Sequence, residues 1–184
     1  MQQKIQLRKK FLNLRKKKYY EIDKNFFLPL LKLIRSRLKK KRFRLALYYP
    51  SNFEINVLKI LEFNNISAQD ILLPVTDKKH FMNFFSWKKN DVLFVNKFGM
   101  LEPFESKVKI PEVMLVPILA FDKNKHRLGY GKGFYDRYLN TYLKKFKNIL
   151  TVGVAFSFQR HHKLPINQND VKLNFIITEK GILE

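Results

Sequence analysis

The stretch RLGYGKGFYDRYL, residues 127–139, concentrates the chemistry of this chain. Three of the six glycines stand there, at 129, 131 and 133, followed by an aromatic pair and Asp136. Glycines let a backbone approach a bulky anion closely and adopt positive φ. Arg127 adds a bidentate fork and Lys132 a point charge. A helix starting near Phe134 would aim its free N–H groups at the same place. The pattern suits a phosphate loop, and equally a plain turn. Two better-known phosphate loops are excluded. No Ser or Thr follows the lysine, and the dinucleotide fingerprint spaces its glycines differently. Asp136 falls in the first turn of the expected helix, where it could offset the helix dipole or ligate magnesium beside bound phosphates.

The elements that must position this loop alternate. Ile5, Leu7, Phe11, Leu12 and Leu14 lie loosely on one side of a basic helix, and Phe26–Leu38 gives a second. Residues 44–49 read as a strand, 54–63 as a helix, 71–75 and 91–95 as short strands, and 113–121 as one longer buried strand. After the glycines, Tyr135, Tyr138, Leu139, Tyr142, Leu143 and Phe146 form an amphipathic helical stripe, with Lys144, Lys145 and Lys147 at its end. Residues 149–156 and 175–178 close the series as strands. Continuous apolar strands alternating with helices predict an α/β sheet covered on both faces. The 184 residues form one domain on this reading.

Composition narrows the function classes. The absence of cysteine removes disulfides, thiolate metal sites and a cysteine nucleophile. His80, His126, His161 and His162 are not at zinc-site spacings. The longest apolar run, nine residues from Val113 to Phe121, is far short of the roughly 20 that span a bilayer. No membrane partner is expected, and a cytoplasmic location is the default. The net charge of +22 is uneven: residues 1–44 hold 17 lysines and arginines against two acids. Such a field attracts phosphates of any kind, RNA included. Compositional bias alone would produce it too.

Taken together, VPILAFDKNKHRLGYGKGFYDRYL (116–139) resembles the signature of the 5-formyltetrahydrofolate cyclo-ligase family, whose activity is also called methenyltetrahydrofolate synthetase. Other segments resemble that family in order: KIQLR (4–8), LYYPSNFEIN (47–56), LPV (73–75), FGMLEP (98–103), GVAFSFQ (153–159), LPINQNDV (164–171) and ITEKG (177–181). The resemblance covers nearly the whole chain. It implies a three-layer α/β/α fold with a mostly parallel sheet, related to the sugar-phosphate isomerase and CoA-transferase group and preceded by N-terminal helices. It also implies an ATP- and Mg²⁺-dependent ligase that closes 5-formyltetrahydrofolate, with or without a polyglutamate tail, to 5,10-methenyltetrahydrofolate. A monomer is expected, and nucleic acid is not expected as a partner.

Carried over by position, the resemblance makes Lys4 and Arg8, which share a helix face, a clamp on ATP phosphates. Arg127, Leu128, Gly129, Tyr130, Gly131, Lys132, Gly133, Phe134 and Tyr135 become the ATP loop, with Lys132 and Arg127 the catalytic charges. Residues Tyr130 to Phe134 also line the folate side. Asp136 and Asp170 become the magnesium contacts, although Asn169 stands where the family often has a histidine, and Asp170 alone reads as a turn residue. Tyr49 and Glu54 would meet the pterin. SNFE (51–54) also has the pattern of a capping box, a competing use of Glu54. The aromatic run 81–87 could wall the folate or belong to the core, with Trp87 a convenient reporter. Gln159 matches the family without an assigned role. Two alternatives remain at this level: a basic RNA-binding protein on the same fold, and an ATP-dependent ligase with another substrate.

Overall fold

A computed structural model describes residues 2–38, 42–64, 66, 68–77, 81–146 and 148–184; His80 and Lys147 lie outside them. Three α-helices, α1 (Gln2–Lys18), α2 (Leu28–Arg37) and α3 (Phe134–Lys145), accompany the strands. Those are β1 (Phe43–Ala46), β2 (Ala68–Thr76), β3 (Met82–Ser86), β4 (Leu93–Val95), β5 (Leu101–Pro103), β6 (Val113–Pro117), β7 (Ala120–Phe121), β8 (Arg127–Leu128), β9 (Leu150–Val154), β10 (Phe175–Thr178) and β11 (Gly181–Leu183). Short 3₁₀ turns occupy Lys24–Phe27, Val57–Glu62 and Ser157–Gln159.

Seven strands make the main sheet, in the order β11-β10-β9-β6-β1-β2-β3. The five inner strands run parallel, and the edge strands β11 and β3 run antiparallel to their neighbours. Side chains alternate between two cores. Leu45, Leu73, Leu115, Val152 and Ile177 face α2, while Ala46, Leu72, Met114, Val116 and Ile176 face α3. That period of two is why the inner strands read as unbroken apolar runs: both faces are covered. α2 admits Pro29 because its missing N–H falls in the first turn. α3 buries Phe134, Tyr138 and Leu139 and ends on Lys144 and Lys145. α1 lies apart, packing Leu7 and Phe11 on Leu119, Ala120, Leu128 and Leu164.

Three expectations need correction. Residues 113–121 are not one strand: β6 stops at Pro117, and β7 pairs with β8 in a separate small hairpin. Proline lacks the N–H that would continue the ladder. The glycine loop therefore follows that hairpin, not the buried strand directly. Residues 54–63 are not an α-helix; only the 3₁₀ turn Val57–Glu62 forms, capped by the Asn56 side chain on the Leu58 N–H. Residues 91–95 contribute only β4, in an outlying hairpin with β5 whose Val92, Phe94 and Val95 are exposed. No helix among the described residues is long and apolar enough to cross a membrane.

Gly153, in the inner strand β9, is closely packed in the α3-side core. A Cβ there would stand 2.7 Å from Ile176 Cδ1 and 2.8 Å from Leu173 Cδ1. Gly153→Val is expected to cost about 1–3 kcal/mol of stability by overpacking. An unchanged urea midpoint would show that the core yields instead.

Candidate active site

The order of the strands decides where a site can form. β1 lies between β2 and β6, so the chain leaves β1 to one side and later returns on the other. At such a switch point the loops after the two strands diverge and open a crevice at their carboxyl ends. Tyr48 to Glu54 follow β1 there, and Ile118 and Leu119 follow β6, which ends on Pro117. The glycine loop and the N-terminus of α3 close one side, α1 another, and Thr76, Phe98 and Glu102 a third. The basin they enclose measures about 1100 Å³. Single small-molecule sites usually measure about 300–1,000 Å³. This one has room for more than one substrate.

α1 carries a basic stripe into the basin. Residues 4, 8, 11 and 15 recur at helical spacing and share a face. Lys4 pairs with Asp170. Arg8 Nε donates to the Gly129 carbonyl at 2.9 Å, and its guanidinium lies against Gly131, where a Cβ would approach Arg8 Cζ to 3.1 Å. Arg15 is 1% exposed, a charge fully withdrawn from water. Its Nε and Nη2 donate to the Asn52 carbonyl at 3.0 and 2.7 Å, its Nη1 to the Ile118 carbonyl at 3.3 Å, and Nη2 also to the Tyr130 hydroxyl. Nothing in the sequence reading singled out Arg15. Its spacing from Lys4 and Arg8 was the available signal.

Within the glycine loop the three glycines differ. Gly131 and Gly133 have φ of +101° and +70°, where a side chain would be strained; Gly129 has no positive φ and open space at its Cβ position. Gly133 starts α3 without any side-chain cap, leaving the helix terminus to a ligand or water. Lys132 Nζ lies 5.3 Å from the centre of the Phe98 ring at the basin wall. Arg127 is buried and already engaged: Nη2 donates to Asp136 Oδ1 at 2.7 Å and Nη1 to the Val171 carbonyl at 2.8 Å. The Val171 N–H returns a bond to Asp136 Oδ1 at 3.2 Å. Asp136 and Asp170 are thereby brought to the same corner. Asp170 Oδ2 accepts from Lys4 and from the Asn167 N–H. Leu128 turns its side chain into the α1 core, and Phe134 packs edge-on to Phe98 at 5.7 Å. The buried Tyr135 hydroxyl has no hydrogen-bond partner among the described residues.

Glu54 does not cap a helix. Residues 51–54 form a tight turn with Asn52 and Phe53 at φ of +47° and +61° and the Glu54 N–H on the Ser51 carbonyl at 2.9 Å. Two positive φ values in succession describe a type I′ turn, which normally calls for Asn-Gly. Left-handed backbone costs roughly 1–2 kcal/mol at a residue such as Phe53. The turn throws the Glu54 side chain into the basin, where Oε1 accepts from the Tyr130 hydroxyl and Oε2 from the Ser51 N–H at 2.9 Å. Burial raises the Glu54 pKa, and Arg15, Tyr130 and Ser51 hold it down. Tyr49 lines the basin nearby. A second acid, Glu102, is also buried at the wall; its Oε1 accepts from the Thr76 N–H, the Thr76 hydroxyl and Asn96 Nδ2. The aromatic run divides: Phe81 and Met82 line the basin, while Phe84, Phe85 and Trp87 are core. Gln159 is a buried strut, donating to the Ile118 and Leu119 carbonyls at 2.9 and 2.8 Å.

Comparison with known proteins places the chain. The sequence model of the 5-formyltetrahydrofolate cyclo-ligase family matches residues 1–179. The chain is 29% identical to a 5-formyltetrahydrofolate cyclo-ligase of Haemophilus influenzae over 175 residues, 91% of each protein. Its fold matches the NMR structure of Aquifex aeolicus 5,10-methenyltetrahydrofolate synthetase with a TM-score of 0.72 and 31% identity, covering 97% of this chain and 91% of that one. A 5,10-methenyltetrahydrofolate synthetase from Mycoplasma pneumoniae matches with a TM-score of 0.70 and 26% identity, covering 96% and 98%. The chain belongs to the 5-formyltetrahydrofolate cyclo-ligase family.

Proposed function

We propose that the basin at the β1/β6 switch point is the active site in which this enzyme closes 5-formyltetrahydrofolate to 5,10-methenyltetrahydrofolate at the expense of ATP. The observation that carries this reading is the meeting of a phosphate-type glycine loop, two α1 cations and a buried carboxylate in one cavity large enough for both substrates. The formyl carbon on N5 is amide-like and unreactive. Transfer of the ATP γ-phosphoryl to the formyl oxygen activates it and releases ADP; N10 attacks the carbon and gives up its proton, and phosphate leaves with that oxygen. No protein nucleophile takes part, in keeping with a chain that has no cysteine. The protein's contribution is position and charge.

Arg8, Lys132 and the uncapped N-terminus of α3 hold the phosphates, with Lys4 completing the cluster once its pairing with Asp170 is exchanged for a phosphate. Backbone rather than side chain is what Leu128, Gly129, Gly131 and Gly133 offer. Arg127 serves by orienting Asp136, since its own fork is already engaged. Glu54, Tyr49 and the loop from Tyr130 to Phe134 receive the folate. Magnesium fits the corner chemically: Asp136 engages Oδ1 and Asp170 engages Oδ2, so each keeps a second oxygen for a hard cation. Among the described residues no group of three or more potential ligands exists, so the ion would be shared with ATP oxygens. Bound there, it would neutralise charge on the transferring phosphoryl group. The RNA-binding alternative is weakened because α1 turns Lys4, Arg8 and Arg15 inward. The fold's kinship with the sugar-phosphate isomerase and CoA-transferase group, and a single domain over 1–184 acting as a monomer, belong to the same proposal.

Wild-type protein given 5-formyltetrahydrofolate and Mg-ATP should form product seen by its long-wavelength absorbance, and omission of ATP or metal should abolish it. No product from folded protein would sink this reading. Asp136→Asn should weaken the use of Mg-ATP on the order of ten-fold or more while folate binding persists. Gly131→Ala, strained at φ +101° and crowding Arg8, should weaken ATP binding about ten-fold in calorimetry.

The pH response follows from Glu54. The carboxylate, not the acid, accepts pterin N–H donors, so folate affinity is full above the Glu54 pKa and falls as pH drops through it. Burial puts that midpoint above the ordinary value of 4.5. Glu54→Gln should raise the folate KM roughly ten-fold and flatten this acid limb. A limb unchanged in the variant would assign it to another group.

A further inference from the structure

The cluster around Arg15 is not explained by phosphate binding. Arg15 sits two helical turns beyond Arg8 on α1, fully buried, and its hydrogen bonds go to the Asn52 and Ile118 carbonyls and the Tyr130 hydroxyl rather than to a carboxylate. A buried guanidinium is costly unless its donors are satisfied. Here they are satisfied by two loop carbonyls and one phenol oxygen. Each of these partners belongs to a segment that forms the basin: Asn52 to the turn before Glu54, Ile118 to the loop after β6, Tyr130 to the glycine loop.

Proton direction follows from chemistry. An arginine only donates, so the Tyr130 oxygen must accept from it, and the single phenolic proton then points at Glu54 Oε1. The same guanidinium holds the Asn52 carbonyl with two donors, bracing a turn whose Asn52 and Phe53 both have positive φ. Apart from that brace and the Tyr130 bond to Glu54, the hydrogen bonds of the turn among the described residues stay within it, from Ser51 to Glu54 and from Asn52 to Ser51, and the Phe53 ring meets Tyr19 at 5.8 Å between centres. Glu54 therefore depends on Arg15 twice, through the turn that carries it and through the hydroxyl that faces it.

We propose that Arg15 is the positioning residue for folate recognition: by bracing the 51–54 turn and turning the Tyr130 proton toward Glu54, it fixes that carboxylate as the acceptor for the pterin's N–H donors. The proposal rests on the assignment of Glu54 to the folate side. Arg15 also acts on the charge of Glu54, which faces Tyr130 from the glycine loop, Tyr135 from α3 and Tyr48 from the end of β1. Arg15 lowers a Glu54 pKa that burial raises, while Arg127 acts on Tyr135.

The test compares Arg15→Met, Arg15→Lys, Tyr130→Phe and the Arg15→Met/Tyr130→Phe double variant with wild type. Arg15→Met should raise the KM for 5-formyltetrahydrofolate on the order of ten-fold or more while the KM for ATP moves less than about two-fold. Tyr130→Phe should act in the same direction. The double variant should lose less than the product of the two single losses, because both remove one chain of contacts. A second readout needs no turnover. In ¹³C-carboxyl NMR titration the Glu54 pKa should move upward in Arg15→Met, whereas Arg15→Lys should keep it near wild type without restoring the folate KM, since the charge survives but the fork does not.

If Arg15→Met does not fold by circular dichroism, Tyr130→Phe carries the same two measurements with almost no change of volume. Equal shifts of both KM values, strictly multiplicative losses or an unmoved Glu54 titration would overturn the proposal. Wild-type protein that binds and converts no folate would instead overturn the parent assignment and, with it, the folate half of this one.

Discussion

Loops at the carboxyl edge of a parallel sheet have backbone carbonyls that no ladder can pair, and in this molecule helix α1 answers much of that need. Arg8 takes the Gly129 carbonyl; Arg15 takes those of Asn52 and Ile118. The donors come on long side chains from one helix face, so three separate loops are referred to a single rigid element. That explains why α1 can be so basic and yet packed. Its apolar contacts are few, chiefly Leu7 and Phe11, and the guanidiniums supply the rest of the attachment. Remove those charges and the helix would have little reason to lie where it does.

The basin carries both signs of charge. Arg8, Lys132 and the uncapped α3 suit an anion, while Glu54 and Glu102 are buried acids held by hydroxyl and N–H donors. Preorganised groups of this kind stabilise charge without rearranging. Tyr130 joins the two sets, standing between two glycines of the loop and hydrogen-bonded to both Arg15 and Glu54.

Much of this was legible in the sequence, and the parts that were not have physical reasons. Strict apolar runs gave the inner strands, and the Tyr135-to-Phe146 stripe gave α3, because burial on both faces or on one stripe leaves a periodic trace. The glycine spacing marked the loop that leads into α3, two of whose glycines have positive φ. Periodicity could not show that 113–121 breaks, since the residues on either side of Pro117 are apolar whether they continue the strand or leave it. Nor could it separate a capping box from a type I′ turn at SNFE: Ser51 and Glu54 suit either, and Phe53 at positive φ is a choice the residue itself argues against. Arg15 was hard to single out for a different reason. In a segment with 17 cations in 44 residues, composition hides a buried one, and only its spacing from Lys4 and Arg8 sets it apart.

That last point bears on how the large net charge should be understood. A buried arginine and an exposed lysine count equally toward +22, yet their energetics have little in common. Exposed lysines on α1, such as Lys9 and Lys16, are solvated and screened within about 10 Å at 0.1 M salt. Arg15 is shielded from that screening, and its removal would leave two carbonyls and a phenol oxygen to find other donors. The N-terminal excess of charge thus contains two populations. One sets a diffuse field that many sequences of similar composition would share; the other, Lys4, Arg8 and Arg15, is placed by helical spacing. It is the spacing of those three along one face of α1, rather than the total, that connects the charge of this chain to its chemistry.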